Sequence, residues 1–428
     1  MKIQQSSPIN PFGGLNFVIE ELNRQKIGTI LNEGLPNLVG QSRYDWKDLL
    51  YSYWSVFFCG GDLSSNFKSS LDQIPYFSVP SPDRVLNRLK FITKPSITFK
   101  PKRAKFNHEF AIDPELNGLN LKVLKQLFPE LSERNLTLDY DNTVCYTGKK
   151  DALLTYKKET GYQPGVGFIG SKVVFVENRN GNSTAHVLQE NTLERMFKQL
   201  IENNISISRF RADSASYNWE TIRIIDKYTN AFYVRARMSE VLERAISGIE
   251  KWEIVGDPKN QIYRGETIFT PFARAARDSK SSHDLKEYRL IITKEKRKDG
   301  QVNLFTSEAY LYSSIVTNDR SMSMNEIVFF YNKRGAIEKE FEVLKYDFGW
   351  NKLPFSQLSQ NNTYLIVTAI CKNIYHYLIN YFSQNVSNLK PTFRIKKFIF
   401  RFITIPAKWV SHSREMHLKV FGNVAFKT

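Results

Sequence analysis

The chain has 428 residues, of which 42% are hydrophobic and 14% aromatic, so it can bury several cores and does not resemble a disordered segment. Three scattered cysteines and six scattered histidines argue against a structural zinc site and suit a reducing compartment. A formal net charge of +17 and a pI near 9.5 indicate a polyanionic partner, nucleic acid before a membrane surface, with a generic basic surface as the alternative. No apolar run suits a secretory signal or a membrane span, so we expect a cytoplasmic protein with no membrane partner.

Residues 1–95 have the pattern of helices with short connections. "GLNFVIEELNRQKIGTILNEGL" is amphipathic, and the Ser-Pro-Asp sequence at 81–83 is a typical helix start, because the first helical position does not need a backbone N–H. The short helix that follows would present Arg84 and Arg88 after a turn, as the reading helix of a helix-turn-helix does. We predict a helical DNA-binding domain here, although any small helical domain has basic helix faces.

The next two segments differ in composition and in predicted secondary structure. Residues 96–134 begin within "KPSITFKPKRAKFN" and are predicted to form an extended basic linker. From residue 135, strand patterns such as "LTLDYDNTVCYTG" and "SKVVFVENRNGN" alternate with helical patterns such as "NTLERMFKQLIENN". Alternating strands and helices indicate an α/β domain.

The C-terminal half begins with residues 240–326, which are rich in strands and polar residues, with a hairpin turn predicted at Lys298–Gly300. Helical patterns resume in residues 327–389. The tail, residues 390–428, carries nine Lys or Arg against Glu415 alone and is rich in Phe. Basic residues interleaved with aromatic ones suit nucleic-acid contact, and a docked terminal element with a basic outer face is the alternative.

Acidic residues stand where two predicted strands end. In "LTLDYDNT" the alternation leaves Asp139 and Asp141 on one face, and "ISISRFRADSAS" runs to Asp213 before small residues take over. Carboxylates at the ends of neighbouring strands are well placed to hold hard cations, and two such ions about 4 Å apart can drive phosphoryl transfer. A single strand-end aspartate more often caps a turn, so the hypothesis depends on a third acid.

The third acid lies in the helical stretch "VFFYNKRGAIEKEFEVLKYDFGW". At about 100° per residue, four polar side chains share an arc of roughly 60° beside the apolar face: Tyr331, Arg334, Glu338 and Lys345. Glu338 is followed four residues later by Glu342, a like-charge pair from which a purely structural helix gains little. A bound cation would offset that repulsion and the basic side chains would grip phosphates, so the pattern favours a site over a solvated face.

These four residues fit the pattern Y-x2-R-x3-E-x6-K, which resembles the signature of a large group of bacterial insertion-sequence transposases of the DDE type. The segments "LDYDNTVCYTGKKDALLTYKKETGYQPG" and "FRADSAS" resemble those around the first and second catalytic Asp in such enzymes. The order Asp, Asp, strand-rich insert, Glu is also that of the family. The resemblance covers about residues 130–390, and the helical N-terminal part carries no motif.

The resemblance implies an α/β fold class, with a ribonuclease-H-like catalytic core, a β-rich insertion between the second Asp and the Glu, and an α-helical N-terminal domain. It also implies two Mg²⁺ or Mn²⁺ ions held by Asp141, Asp213 and Glu338. We prefer Asp141 to Asp139 because "DNT" matches the family's Asp-small-Thr pattern at the end of the first core strand. Asp139 is the reserve, and the sequence leaves that choice open.

The same resemblance implies that Tyr331, Arg334 and Lys345 contact the phosphates and displaced bases of the transposon end. Some related enzymes cut through a DNA hairpin and stack a flipped base on an aromatic residue of the insertion. Trp252, in "IEKWEIVG", is a candidate for that role. The alternative, a tryptophan in the small core of the insertion, is the more common situation.

The predicted function is a DNA transposase that binds the terminal inverted repeats of its own element, cleaves strands with metal-activated water and joins the 3′-hydroxyl to target DNA. A homodimer holding both ends, associated with a bacterial nucleoid, is implied by the resemblance. The alternatives are a metal-dependent nuclease that does not join, or a non-catalytic DNA-binding relative. The predicted organisation has six parts: helical DNA-binding domain 1–95, basic linker 96–134, first part of the core 135–239, β-rich insertion 240–326, second part of the core with the Glu helix 327–389, and basic tail 390–428.

Overall fold

The computed structural model describes residues 9–38, 40, 42–61, 74, 78–100, 105–133, 135–256, 262–278, 285–297 and 310–422. Its helices are α1 (Gly14–Arg24), α2 (Ile27–Gly34), α3 (Trp46–Phe58), α4 (Pro82–Phe91), α5 (Pro114–Leu127), α6 (Gln189–Glu202), α7 (Trp219–Tyr228), α8 (Glu240–Ser247), α9 (Ala273–Asp278), α10 (Met324–Asn332), α11 (Ala336–Asp347), α12 (Leu358–Asn385) and α13 (Ile395–Phe398). Its strands are β1 (Ile97–Phe99), β2 (His108–Ala111), β3 (Leu136–Asn142), β4 (Cys145–Tyr146), β5 (Leu153–Leu154), β6 (Thr160–Tyr162), β7 (Gly165–Ile169), β8 (Lys172–Arg179), β9 (Ile207–Ala212), β10 (Ala231–Arg235), β11 (Glu253–Val255), β12 (Ile262–Phe269), β13 (Tyr288–Lys296), β14 (Tyr310–Thr317), β15 (Ala407–His412) and β16 (Glu415–Val420). The mixed α/β class is therefore confirmed.

Eleven strands form one mixed sheet in the order β1-β2-β8-β7-β3-β9-β10-β14-β13-β12-β11. Its centre is the parallel trio β3, β9 and β10, in which Phe210 lies opposite both Leu138 and Phe232. These three side chains are fully buried. Because parallel strands run in the same direction, the residues that follow β3, β9 and β10 reach the same edge of the sheet.

The strands of the predicted insertion extend this sheet. β14 pairs antiparallel with β10, placing Val316 opposite Val234, and β13, β12 and β11 follow outward. This pairing covers an edge of β10 that would otherwise expose its backbone N–H and C=O groups. β13 and β14 are antiparallel neighbours with Lys296 opposite Tyr310, and the turn predicted at Lys298–Gly300 lies outside the described residues.

Two buried asparagines attach two helices to the backbone of β8. Asn117 of α5 accepts a hydrogen bond from the N–H of Val176 and donates to its carbonyl, both at 2.9 Å. Asn373 of α12 does the same with Val173, at 2.9 and 2.8 Å. Each asparagine thus pairs backbone groups as a neighbouring strand would, and each such group would cost about 1–3 kcal/mol if buried without a partner.

Part of the predicted linker is folded into this core. Within residues 96–134, β2 joins the sheet and α5 packs against β8 and α12. The carboxylate of Asp113 caps α5 by accepting from the N–H of Leu116 at 2.9 Å, and Leu124 is fully buried. The prediction of an extended linker does not hold for these residues. It was based on the lysines and prolines in the first half of the segment, whereas the second half has leucines at helical spacing.

The described ends of the chain pack on each other. Asn10 and Ala407 exchange backbone hydrogen bonds of 2.9 Å. Gly14 approaches the backbone of the C-terminal segment so closely that a Cβ atom would stand 1.9 Å from the carbonyl oxygen of Phe402, so a larger residue would separate the two segments. The part of the tail 390–428 that the structure describes is therefore a docked element ending in the β15-β16 hairpin.

The long helix α12 joins the N-terminal helices to the sheet. The indole N–H of Trp54, in α3, donates to the carbonyl of Val367 at 3.1 Å, and both residues are buried. α4 begins at Pro82, as predicted, and the hydroxyls of Thr93 and Thr363 lie 3.1 Å apart where it meets α12. Within the described part of the chain, no helix combines the length and apolar character needed to cross a membrane.

Candidate active site

Two aspartates leave neighbouring parallel strands at one edge of the sheet. Tyr140 of β3 lies opposite Ala212 of β9, and Asp141 and Asp213 are the residues directly after this pair in the sequence. The carboxylate of Asp213 accepts from the N–H of Ala215 at 3.0 Å, which caps a short 3₁₀ turn. Both aspartates are half-buried and line one cavity of about 390 Å³. The strand order therefore brings these two predicted residues together.

Asp139, the reserve candidate, is held by another partner. It is 2% exposed and accepts two hydrogen bonds of 2.7 Å from Arg211, which lies opposite it on β9. Arg211 also donates to the carbonyl of Phe330 in α10. Asp139 is thus one half of a buried tie between two strands and a helix, whereas Asp141 lines the cavity. This arrangement supports Asp141 as the first candidate ligand.

The stretch interpreted as one amphipathic helix is divided in the structure. α10 ends at Asn332, a 3₁₀ turn covers Lys333–Gly335, and α11 begins at Ala336. A 3₁₀ turn advances about 120° per residue, so a wheel drawn at 100° does not hold across it. The predicted stripe is therefore assembled from two helices, with Tyr331 on the first and Glu338 on the second. The apolar face predicted beside this stripe is present in α11, where three apolar side chains are buried: Ile337, Phe341 and Leu344.

Tyr331 and Arg334 contact the acidic edge itself. The Nη1 of Arg334 donates to the Oδ2 of Asp141 at 3.1 Å, with the two side chains 13% and 21% exposed. The hydroxyl of Tyr331 donates to the carbonyl of Ala212 at 3.2 Å, immediately before Asp213. The tyrosine and the arginine thus brace the ends of β3 and β9, and their contacts with DNA stay predictions.

Negative charge is concentrated around Asp141. The pKa of Asp141 is raised to about 7, mainly by burial and also by the carboxylates of Asp213 and Glu338, whereas the guanidinium of Arg334 acts to lower it. A divalent cation would relieve this repulsion, and carboxylate oxygens are the ligands that Mg²⁺ and Mn²⁺ prefer. Among the described residues, however, no three acidic, histidine or cysteine side chains are gathered closely enough to hold a metal ion. The donor chemistry fits, and metal binding requires these side chains to close in.

Neither Lys345 nor Trp252 lines this cavity. Burial lowers the pKa of Lys345, half-buried in α11, whereas the nearby Cys145 thiol raises it. The indole of Trp252 donates to the carbonyl of Ile249 at 3.2 Å, and the Nζ of Lys294 stands 4.1 Å from the centre of its ring. Trp252 is half-buried and packs in the insertion, which supports the core alternative for this residue.

The two N-terminal candidates lie on α4. The guanidinium of Arg84 stands 5.9 Å from the centre of the Tyr44 ring, and the side chain is exposed. Arg88 is half-buried in the last turn of the same helix. Neither residue lines the cavity, so any role in DNA binding belongs to a separate surface.

Two residues of the cavity, His186 and Arg237, were not predicted from the sequence. Arg237 follows β10, so the third parallel strand delivers it to the edge where Asp141 and Asp213 lie. The two arginines at the end of the strand pattern "AFYVRARM" could have indicated a basic residue at this edge. His186 lies in the loop after β8 and had no signal, since only the fold determines where that loop reaches.

We expect the Asp141–Arg334 pair to be energetically coupled. In urea unfolding, Arg334→Ala should lower the free energy of unfolding by about 1 kcal/mol in the native background and by much less when Asp141 is Asn, because the pair is partly buried. Lys333→Ala is the matched control, since its ammonium lies over the Phe329 ring. Equal losses of stability in both backgrounds would show that the contact contributes nothing.

The chain is similar to known transposases in sequence and in structure. The profile of the family described as "Transposase DDE domain group 1" matches residues 86–428, a range that contains all three candidate carboxylates. A similar solved structure is that described as "Cryo-EM structure of piggyBac transposase synaptic complex with hairpin DNA", with 14% sequence identity, a TM-score of 0.41, and coverage of 92% of this chain and 80% of that chain. No curated protein sequence matches the chain.

Proposed function

Because the chain belongs to the family of transposase DDE domains and is a DNA transposase, we propose that Asp141, Asp213 and Glu338 are its catalytic carboxylates. We assign it to the insertion-sequence group with the signature Y-x2-R-x3-E-x6-K, which Tyr331, Arg334, Glu338 and Lys345 fit. A ribonuclease-H-like core, assembled around the parallel strands β3, β9 and β10, belongs to the same proposal.

One observation carries this assignment. Asp141, near the end of β3, and Asp213, directly after β9, face one cavity, and the charges of Asp213 and Glu338 both act on Asp141. Asp139 differs, because it is buried against Arg211 on the neighbouring strand and does not line the cavity. Carboxylates that repel one another beside a cavity, with Arg334 ion-paired among the described residues to Asp141 alone, are typical of a site that functions with a bound cation.

The protein's residues would act on a DNA phosphodiester as follows. Asp141, Asp213 and Glu338 would hold two Mg²⁺ or Mn²⁺ ions, which when bound activate the attacking oxygen and stabilise the leaving one. In cleavage, the oxygen of water bonds to phosphorus and the 3′-oxygen of the transposon end leaves with a proton. In joining, that 3′-oxygen bonds to a target phosphorus and a target 3′-oxygen leaves. Arg334 would neutralise Asp141 before the ions bind and would contact phosphate afterwards.

The DNA partner is supported by charge as well as by family. The chain carries a net +17, and the described part of the tail adds a basic hairpin to the docked ends. We propose that it binds the terminal inverted repeats of a bacterial element and acts as a homodimer that brings two ends together. Neutralising several phosphates makes such binding strongly salt-dependent.

A strand-transfer assay tests the proposal. Duplexes that end in the inverted repeat bordering the gene, already cut to expose the 3′-hydroxyl, are incubated with plasmid and Mg²⁺. We expect joined products, because in-line attack by that hydroxyl needs no prior cleavage. Cleavage of uncut ends without any joined product would identify a nuclease instead, and binding without either reaction would identify a non-catalytic relative.

A further inference from the structure

We propose that Arg237 and His186 form a phosphodiester-binding subsite in the cavity that Asp141 and Asp213 line, an inference that rests on the proposed function. The subsite would hold a backbone phosphate of the DNA strand while the aspartates act on its neighbour. Its two residues come from opposite flanks of the acidic pair in the sheet order, one after β10 and one after β8.

Arg237 is placed by strand topology. β10 is parallel to β9, and Val234 lies opposite Ala212, the residue before Asp213. The chain continues past β10 at the same edge and brings the exposed side chain of Arg237 to the cavity wall. An arginine there faces a cavity whose other charges are carboxylates, and its planar fork matches two oxygens of a phosphate.

His186 is placed by a buried arginine. Arg179, at the end of β8, is fully buried and its Nη1 donates to the carbonyls of Thr184, Ala185 and Val187 at 3.4, 3.5 and 3.0 Å. One guanidinium thus fixes the backbone on both sides of the histidine. The imidazole also lies 3.1 Å from the hydroxyl of Thr184, another residue of the cavity wall.

The charges of the cavity favour a phosphate ligand at this position. His186 and Arg237 line the same cavity. Burial lowers the pKa of His186, and the positive charges of Arg237 and Arg179 lower it further, so the imidazole is a neutral hydrogen-bond donor at pH 7. A DNA strand approaching Asp141 and Asp213 is repelled by their carboxylates. The guanidinium of Arg237 and the neutral imidazole of His186 offset that repulsion. Within the described part of the chain, neither forms an ion pair with the aspartates, so both stay available to the phosphate.

Salt-dependent DNA binding tests the subsite. A fluorescent duplex ending in the inverted repeat that borders the gene is titrated in EDTA, with affinity measured by anisotropy at several salt concentrations. At about 0.1 M salt, Arg237→Ala should weaken binding about tenfold. It should also reduce the slope of log affinity against log salt by about 0.9, the value for one lost phosphate contact. His186→Ala should weaken binding about threefold with the slope unchanged, because a neutral group releases no counterion.

Two controls keep the result interpretable. Arg237→Lys should retain the slope, and Arg244→Ala, whose side chain is 79% exposed on α8, should change affinity less than about twofold. Thermal melting verifies that each variant is folded. An unchanged slope for Arg237→Ala, or an equal loss for Arg244→Ala, would overturn the subsite. Failure of the proposed function is separate, since it would appear as a native protein that does not join end DNA to the target in Mg²⁺.

Discussion

Replacing Asp141 or Asp213 by Asn, or Glu338 by Gln, is expected to reduce cleavage and joining of end DNA by about 10³-fold or more. Each substitution removes a charged oxygen ligand while preserving size, and residues that act as one catalytic unit fail together. Binding of end DNA in EDTA should stay within about threefold of the native value, because no positive charge is lost. The measurement is product formation in Mg²⁺ beside anisotropy in EDTA.

Glu342→Gln is the matched control for the helix. Glu342 is an exposed acid four residues after Glu338, and it pairs with Arg394 at 2.6 Å. This variant should cleave and join at close to the native rate. Activity in any of the three catalytic variants would remove that residue from the site, and activity in Asp141→Asn together with loss in Asp139→Asn would return the reserve candidate to the first position.

The Asp141→Asn variant should also be more stable than the native protein in EDTA, with a gain that depends on pH. The pKa of Asp141 is about 7 in the folded state, whereas an unfolded carboxyl has a pKa of about 3.9. Because the folded state holds this proton more tightly than the unfolded state, protonated Asp141 costs the folded protein nothing below about pH 4. As the pH rises towards 7, the unfolded state gives up its proton more readily and the folded protein loses stability. The advantage of Asn should therefore grow between pH 4 and 7 to about 1 kcal/mol, discounted for partial exposure, and an advantage that shrinks with pH would contradict this account.

Breaking the Asp139–Arg211 pair is expected to have the largest effect on stability. Both side chains are nearly buried, at 3% and 9% exposure, and they share two hydrogen bonds of 2.7 Å. Asp139→Ala leaves a buried guanidinium without its partner, so it should lower the free energy of unfolding by about 3–5 kcal/mol. Urea unfolding measures this loss of stability. Strand transfer assayed below the melting temperature shows whether a shift of β3 also disturbs Asp141.

The double variant Asp139→Asn with Arg211→Met separates ion pairing from packing. Because it leaves no unpaired buried charge, it should recover much of the stability lost in Asp139→Ala. Arg244→Ala breaks an exposed pair with Glu240 and should cost less than about 0.5 kcal/mol. If Asp139→Ala cost no more than this exposed control, the pair would not be the tie between β3, β9 and α10 that its geometry indicates.

Much of the candidate site was visible in local patterns. The alternation in "LTLDYDNT" and "ISISRF" predicted two strands that end near Asp141 and Asp213, and the structure has β3 and β9 at those positions. The signature around Glu338 and the strand-rich insert predicted a transposase, which the family match confirms. The assignment of individual catalytic residues stays a prediction, since activity has to test it.

Other features could not be predicted locally. The lysines and prolines before residue 108 resembled a linker, although α5 follows them and binds β8 through Asn117. The helical wheel assumed one continuous helix and missed the 3₁₀ turn at Lys333–Gly335. In each case the deciding contacts are with residues far away in the chain, and a pattern of neighbouring residues contains no information about them.

The order of residues along the chain specifies the chemistry: which residues are acidic, where strands stop, which helical face is apolar, and which family the chain resembles. The partners of these residues depend on the folded arrangement. It paired Asp139 with Arg211, placed Arg334 against Asp141, and brought His186 and Arg237 to the same cavity. The physical reason is that side-chain period fixes which face a residue occupies, whereas strand order and long-range packing fix what lies opposite that face.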